Sequence, residues 1–273
     1  MHFRFIQPSP HLRNYVKHYC FMESEACEQN VSERVIPTES IQLMFHYRQP
    51  FVVLKEDKIV SYQPQSIISG LSNSFSDVST FGAAGVVFVA FQPVGACHFF
   101  RFPLSDIENQ SLDMKDIFSK EIKEVEEKLY CKANFEERAN VIDSFLLKKM
   151  SVVKQHDYLL LQEGVKLIKQ NRGQMNTAAL STQLFTTSKS LERKFSAFLG
   201  MTPKQYFKLI RFQATIEDMT LRKGIPLTDF AYSNGYSDQS HFIRDFKTFS
   251  GFTPKEFIVR YADCGLNTDL ETF

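Results

Sequence analysis

The chain has 273 residues, of which 43% are hydrophobic, and a formal net charge of +1 at pH 7. This composition argues against disorder and predicts globular structure, and the length allows two domains with separate cores. The near-zero net charge gives no global sign of nucleic-acid binding. However, residues 172–260 hold 13 Lys and Arg against 7 Asp and Glu, so positive charge is concentrated in that segment.

The cysteines and the N-terminal residues predict the cellular compartment of the protein. Five cysteines form neither a CxxC pair nor a Cys/His zinc spacing, which predicts reduced thiols in a cytoplasmic protein. Residues 1–10 lack the apolar core of a signal peptide, and no apolar run approaches the ~20 residues of a membrane helix. We therefore expect a cytoplasmic protein with no membrane partner.

The first ninety residues carry mostly strand patterns. Residues 10–19 predict a short helix, but residues 40–47 alternate apolar and polar side chains, as a half-buried strand does. Further strands are predicted over residues 51–54, 59–62, 65–70, 77–81 and 86–91. Short strands separated by turn residues predict a mostly antiparallel sheet or a small barrel.

Helical patterns follow Pro93, over residues 94–100, 112–118, 120–130 and 134–149. The N-terminal domain is therefore predicted to be α+β. The last of these helices has an apolar face, which indicates core packing, with a dimer surface as the alternative. That face comprises Val141, Phe145, Leu146 and Met150.

Aromatic and ionisable side chains in this half suggest two kinds of site. An effector pocket could be lined by Phe45, Tyr47, Phe88 and Phe91, although burial in the core is favoured because Phe is commonly buried without function. Glu39, His46 and His98 lie near the ends of strands, but without an HxH spacing they indicate structural roles, so no metal or cofactor is expected. The chain also lacks a nucleophile elbow, a Walker loop and a dinucleotide fingerprint, so it is not expected to be an enzyme.

The C-terminal half contains an internal repeat. Residues 235–257 match residues 184–206 at an offset of 51, which places Arg244 on Arg193, and Gly251 on Gly200. Each copy predicts a short helix, a tight turn and a second helix with a buried apolar face. An all-α domain with two helix-turn-helix motifs is the predicted result.

A helix-turn-helix places its second helix in the DNA major groove, where Arg can bond guanine and Gln can bond adenine. The residues predicted to face outward are Ser188, Lys189, Glu192 and Arg193 in the first copy, and Gln239, Ser240, His241 and Arg244 in the second. Lys194 and Lys247 are predicted to contact phosphates. A connecting helix over residues 203–221 would span roughly 28 Å, near the ~34 Å between successive major grooves.

These motifs resemble the paired helix-turn-helix domain of the AraC/XylS family of bacterial transcription regulators. The similarity covers residues 161–260 and is carried by the sequence GYSDQSHFIRDFKTFSGFTPKEF. It implies that the eight outward residues named above reach bases. Thr215 and Asp218 lie where the family usually has Ala and Leu.

The N-terminal half resembles the N-terminal domain of one branch of that family through RVIPTESIQLMFHY, FQPVGACHFF and FPLSDI. No chemistry is implied by this second similarity. The branch often has Pro-Asp-Gly before the strand at residues 41–47, where this chain has Pro37, Thr38 and Glu39.

The predicted organisation is an effector-sensing or dimerisation domain (1–150), a linker (151–157), a DNA-binding domain (158–263) and a tail (264–273). The predicted function is sequence-specific transcription regulation. The alternatives are a ligand-free dimerisation module or an enzyme in the N-terminal half. Candidate partners are double-stranded DNA, RNA polymerase, a small-molecule effector and a second copy of the chain.

Overall fold

The computed structural model describes residues 2–24, 32–80, 82–221 and 226–261. Its N-terminal part contains two antiparallel sheets. The strands are β1 (His2–Ile6), β2 (Val16–Glu23), β3 (Ser32–Val35), β4 (Gln42–His46), β5 (Val52–Lys55), β6 (Lys58–Tyr62), β7 (Ser66–Ser69), β8 (Ser76–Ser79), β9 (Gly85–Phe91) and β10 (Ser111–Asp113). The first sheet has the order β1-β2-β9-β4-β7-β10, and the second has the order β3-β8-β5-β6.

Side-chain alternation divides the first sheet into two buried faces. On β4, Leu43 and Phe45 point toward the main core, whereas Met44 faces the second sheet, because successive residues of a strand lie on opposite faces. Strand β9 repeats the division, with Val87 and Val89 in the main core and Phe88 on the opposite face. The main-core face is covered by helices, and the opposite face borders a cavity.

Two helices cover that main-core face: α1 (Met114–Cys131) and α2 (Phe135–Lys149). Within α1, Ser119 has non-helical backbone angles, with φ 45° and ψ −116°, so two helical stretches meet at the break that the sequence predicts between residues 118 and 120. Asn134 begins α2 by accepting a hydrogen bond from the backbone N–H of Glu137 at 2.8 Å, as an N-cap does. On α2, Phe145 and Leu146 are buried, and Phe145 contacts Phe45 edge-on at 6.4 Å between ring centroids, so this face is core.

Two predicted helices are wrong. Residues 10–15 form consecutive turns, in which Leu12 N–H donates to Ser9 C=O at 2.9 Å and Val16 N–H donates to Leu12 C=O at 2.8 Å, and residues 16–19 already belong to β2. Strand β2 lies between β1 and β9, so pairing on both edges decides its conformation against local helix propensity. Residues 94–100 form only the 3₁₀ turn Ala96–His98.

The C-terminal part is helical, and the predicted fold class is confirmed. The helices are α3 (Gln155–Gln170), α4 (Thr177–Gln183), α5 (Ser188–Leu199), α6 (Pro203–Leu221), α7 (Leu227–Ser233), α8 (Gln239–Ser250) and α9 (Pro254–Tyr261). Helix α6 has the predicted bounds. The sequence also predicts that Gly224 breaks the chain after this helix, but Gly224 lies outside the described residues.

The two halves are in direct contact. The 3₁₀ turn Leu104–Ile107 lies under the end of α5, where a Cβ on Gly200 would come within 3.0 Å of Leu104 C=O. His98 packs edge-on against Tyr158 of α3 at 4.9 Å between ring centroids. The buried residues of both halves therefore form one continuous hydrophobic cluster. Across the described ranges, no helix is long and apolar enough to cross a membrane.

Candidate nucleic-acid interface and ligand cavity

Helices α5 and α8 begin and end in the same way. Thr187 begins α5 by accepting a hydrogen bond from the N–H of Ser190, and Asp238 begins α8 by accepting one from the N–H of His241. Gly200 and Gly251 end them with φ of 94° and 74°, the left-handed region that favours glycine. Each copy of the repeat therefore specifies one helix of twelve residues.

Both helices pack on α6. On α5, Phe195 contacts Tyr206 with 6.0 Å between ring centroids. On α8, Phe246 and Phe249 contact Phe212 at 5.2 and 4.9 Å. One connecting helix therefore fixes the separation of the two candidate recognition helices.

The predicted outward residues are mostly exposed. Lys189, Glu192 and Arg193 are exposed on α5. Exposed on α8 are Gln239, Ser240, Arg244 and the predicted phosphate contact Lys247.

Three other predicted residues have partners within the chain. Ser188 is half-buried, with its hydroxyl 3.1 Å from that of Ser181. His241 is half-buried, with Nε2 at 3.4 Å from Asp245 Oδ2. The side chain of Lys194 is only 15% exposed, and its Nζ lies 2.6 Å from Asp157 Oδ1. Lys194 thus joins α5 to α3, so the expected phosphate contact does not carry over to it.

The turns of the two motifs carry different residues at one structurally equivalent position. Alignment of the two repeats in sequence does not pair these two residues. Matching backbone hydrogen bonds, Phe185 N–H to Thr182 C=O and Gly235 N–H to Tyr232 C=O, make Phe185 the equivalent of Gly235. Both residues have a left-handed backbone, with φ of 50° and 71°, and the Phe185 side chain is 98% exposed. The second turn is one residue longer, so the sequence offset of 51 hides this equivalence.

The two departures from the family pattern on α6 are buried polar contacts. Asp218 accepts a hydrogen bond from Asn234 Nδ2 at 3.0 Å and pairs with Arg172 Nη2 at 2.8 Å. Thr215 donates its hydroxyl to the C=O of Arg211 at 2.8 Å. Asp218 therefore fastens the turn of the second motif to α6 and to the end of α3.

A cavity of about 420 Å³ lies between the two sheets. Its apolar wall includes Met22, Met44, Phe51 and Phe88. Of the four predicted pocket residues, only Phe88 lines this cavity. The other three, Phe45, Tyr47 and Phe91, are buried in the main core, on the opposite face of the first sheet.

Segment 33–40 borders this cavity and also bonds the C-terminal half. Glu39 accepts hydrogen bonds from Lys169 Nζ at 2.6 Å and from the Tyr206 hydroxyl at 3.0 Å. Pro37 C=O accepts one from Gln213 Nε2 at 3.5 Å. Glu39 is therefore a contact between the halves, which the sequence does not reveal.

The two histidines considered as metal ligands lie next to amide or carbonyl oxygens of the chain. His46 Nε2 lies 3.1 Å from Gln63 Oε1, and burial lowers the pKa of His46 to about 4. His98 Nδ1 lies 3.1 Å from the C=O of Ser151, and burial lowers its pKa as well. No three His, Cys, Asp or Glu residues cluster as metal ligands in the part of the chain that the structure describes.

Comparison with known proteins agrees with this geometry. Residues 180–260 match the family model of a helix-turn-helix domain, and residues 4–113 match a domain of unknown function, DUF6597. The C-terminal half thus contains a domain of the helix-turn-helix class, attached to a sheet domain. The predicted resemblance to the paired helix-turn-helix domain of the AraC/XylS family is confirmed over residues 180–260.

Solved structures with a similar arrangement include ToxT from Vibrio cholerae. It is 11% identical, the similarity covers 88% of this chain and 97% of that one, and the TM-score is 0.47. An AraC-type regulator from Chromobacterium violaceum is 21% identical over 40% of this chain and 98% of its own, with a TM-score of 0.37. A DNA-binding dual regulator from Escherichia coli K-12 is 21% identical over 41% and 96%, with a TM-score of 0.34. No curated protein sequence matches the chain.

Proposed function

We propose that this regulator inserts α5 and α8 into two successive major grooves on one face of a DNA duplex. The observation that carries the proposal is that both helices, each with an exposed polar face, pack on the single helix α6. Its 19 residues span roughly 28 Å, which is close to the ~34 Å between successive grooves. The proposed domain boundaries are those predicted from the sequence.

Base readout is assigned to the exposed faces of the two helices. Arg193 and Arg244 occupy equivalent positions, and either guanidinium can bond guanine O6 and N7 together. Gln239 suits adenine, and Glu192 can accept a hydrogen bond from cytosine N4. The remaining proposed base contacts are Ser188, Lys189, Ser240 and His241, and Lys247 is placed on phosphate.

Selection from a pool of random duplexes, at two salt concentrations, tests this proposal. The expected product is two short boxes about one helical turn apart, with affinity that falls as salt rises. Arg193→Ala and Arg244→Ala should each relax selection at one box only. As a control, Lys255→Ala removes one positive charge from an exposed position on α9 and should leave selection at both boxes unchanged. Enrichment of one box, or of none, would count against readout by two helices.

The N-terminal domain is proposed to sense a small molecule in the cavity between its sheets. Support comes from segment 33–40, which borders the cavity and also bonds α3 and α6 through Glu39. The second candidate is a ligand-free dimerisation module. A metabolite that raises the melting temperature favours sensing, since ligands that bind only the folded state stabilise it. We also propose that the protein acts in the cytoplasm together with RNA polymerase.

A further inference from the structure

We infer that the cavity between the two sheets takes a protonated organic amine with an apolar body. This inference rests on the proposed sensing role and names the chemical class of the effector. The inference rests on the charge and the aromatic residues of the described lining and on the volume of the cavity.

Charge is the first argument. Among the described residues that line the cavity, Glu33 is the one ionisable residue, and none is Lys, Arg or His. Within the described residues, no hydrogen bond or ion pair holds the Glu33 carboxylate. Burial raises the pKa of Glu33, because a charged carboxylate is poorly solvated there. The charge of the N-terminal amine acts in the opposite direction but leaves the pKa raised. A cationic ligand would add a counter-charge inside the cavity and would favour the ionised carboxylate.

The apolar wall is the second argument. The rings of Phe51 and Phe88 lie 6.5 Å apart between centroids, inclined by 37°, and both line the cavity. Aromatic faces attract ammonium groups as well as apolar carbon. Met22, Met44 and Val53 extend the same wall, so the body of the ligand would be apolar.

The remaining lining is neutral and polar, with eight serines, two threonines and four side-chain amides. Hydroxyl and amide groups can accept hydrogen bonds from an ammonium, but they bring no formal charge to neutralise an acid. An anionic ligand would also meet the Glu33 carboxylate, and like charges repel strongly away from bulk water. The described lining therefore selects against carboxylates and phosphates of the same size. At about 420 Å³, the cavity has room for a small ligand.

The test uses three probes with one skeleton: 3-phenylpropylamine, 3-phenylpropanol and 3-phenylpropanoate. Calorimetric titration of the full chain should give an amine affinity at least about tenfold higher than that of the alcohol, with no measurable binding of the carboxylate. Glu33→Gln should reduce amine affinity to the level of the alcohol and leave alcohol affinity unchanged. Glu56→Gln, which removes an exposed carboxylate from the β5–β6 turn, should change nothing.

Three outcomes would overturn the inference: binding of the carboxylate as tightly as the amine, an amine preference that survives Glu33→Gln, or binding of none of the probes. Duplex selection with the same samples, without probe, keeps the proposed function separate. Amine binding without selective DNA binding would count against DNA readout. Selective DNA binding without amine binding would count against the ligand class alone.

Discussion

The guanidinium of Arg34 lies 4.4 Å from the ring centroid of Phe252, so strand β3 contacts the segment that follows the end of α8. Phe252 follows Gly251, the residue that ends α8, and a Cβ at Gly251 would collide with the Arg34 guanidinium. On the other face of β3, Glu33 and Val35 line the cavity. One short strand therefore has the proposed effector on one side and the DNA-binding domain on the other.

Arg34→Ala should lower the free energy of unfolding by about 1–2 kcal/mol. It removes the stacking on Phe75 and Phe252 and the two hydrogen bonds to Asp77 at 2.7 and 2.8 Å. Urea unfolding measures the change. Arg4→Ala is the matched control, since Arg4 pairs with Glu136 at the surface and should contribute less than about 0.5 kcal/mol. Equal losses in both variants would contradict the assigned role of Arg34.

The turn of the first motif should gain stability from glycine. Phe185 has φ 50°, a conformation that costs a non-glycine residue energy, and its exposed ring does not recover that cost by burial. Phe185→Gly should therefore raise the free energy of unfolding by about 0.5–1 kcal/mol.

The reverse change at the equivalent position serves as the control. Gly235→Ala should destabilise the domain, because φ is 71° and the new Cβ would lie 2.9 Å from the side chain of Gln174. Melting temperatures of both variants check the pair. A lower melting temperature for Phe185→Gly would mean that the exposed ring is stabilising.

Asp218→Ala should cost about 2–3 kcal/mol. It leaves the buried amide of Asn234 without one of its acceptors and deprives Arg172 of a partner at 2.8 Å. Glu217→Ala removes the neighbouring carboxylate, which pairs with the same Arg172 at the surface, and should cost little. Thermal unfolding distinguishes the two. A neutral Asp218→Ala would show that the turn of the second motif does not depend on this contact.

Local patterns explain which features the sequence predicts. The period and caps of α5, α6 and α8 are local, so the sequence predicts the bounds of α6 and most of the exposed positions of α5 and α8. The local pattern predicts helix for the first residues of β2, because the pairing of β2 with β1 and β9 that decides its conformation is not local. Phe45 and Phe88 lie on different buried faces of the first sheet, because the pairing of β4 with β9 decides which residues share a face.

Contacts between distant segments have no sequence signal of this kind. The Lys194–Asp157 ion pair, the bonds of Glu39 and the position of Arg34 against Gly251 all join residues far apart in the chain. A single sequence shows that these residues are charged, but not which of them are already paired. The sequence therefore assigns Lys194 to a phosphate contact and does not indicate the wall of the cavity.

Stability should fall in mild acid because of His46. Burial lowers its pKa from 6.5 to about 4, and its Nδ1 is buried without a hydrogen-bond partner within the described residues. Between these values the unfolded chain binds a proton that the folded chain excludes. The free energy of unfolding should therefore be unaffected above pH 6.5 and should decrease as pH falls toward 4.

The contribution of His46 between pH 6.5 and 5 is about 2 kcal/mol. His98, whose pKa is also lowered by burial, adds to the loss in the same direction, so the test compares variants across the same pH series. Urea unfolding of His46→Gln should show a pH dependence smaller by about that amount, whereas His156→Gln, at an exposed position, should match the parent chain. An unchanged slope in His46→Gln would mean that the pKa of His46 is the same in the folded and unfolded chains, contrary to the effect of burial.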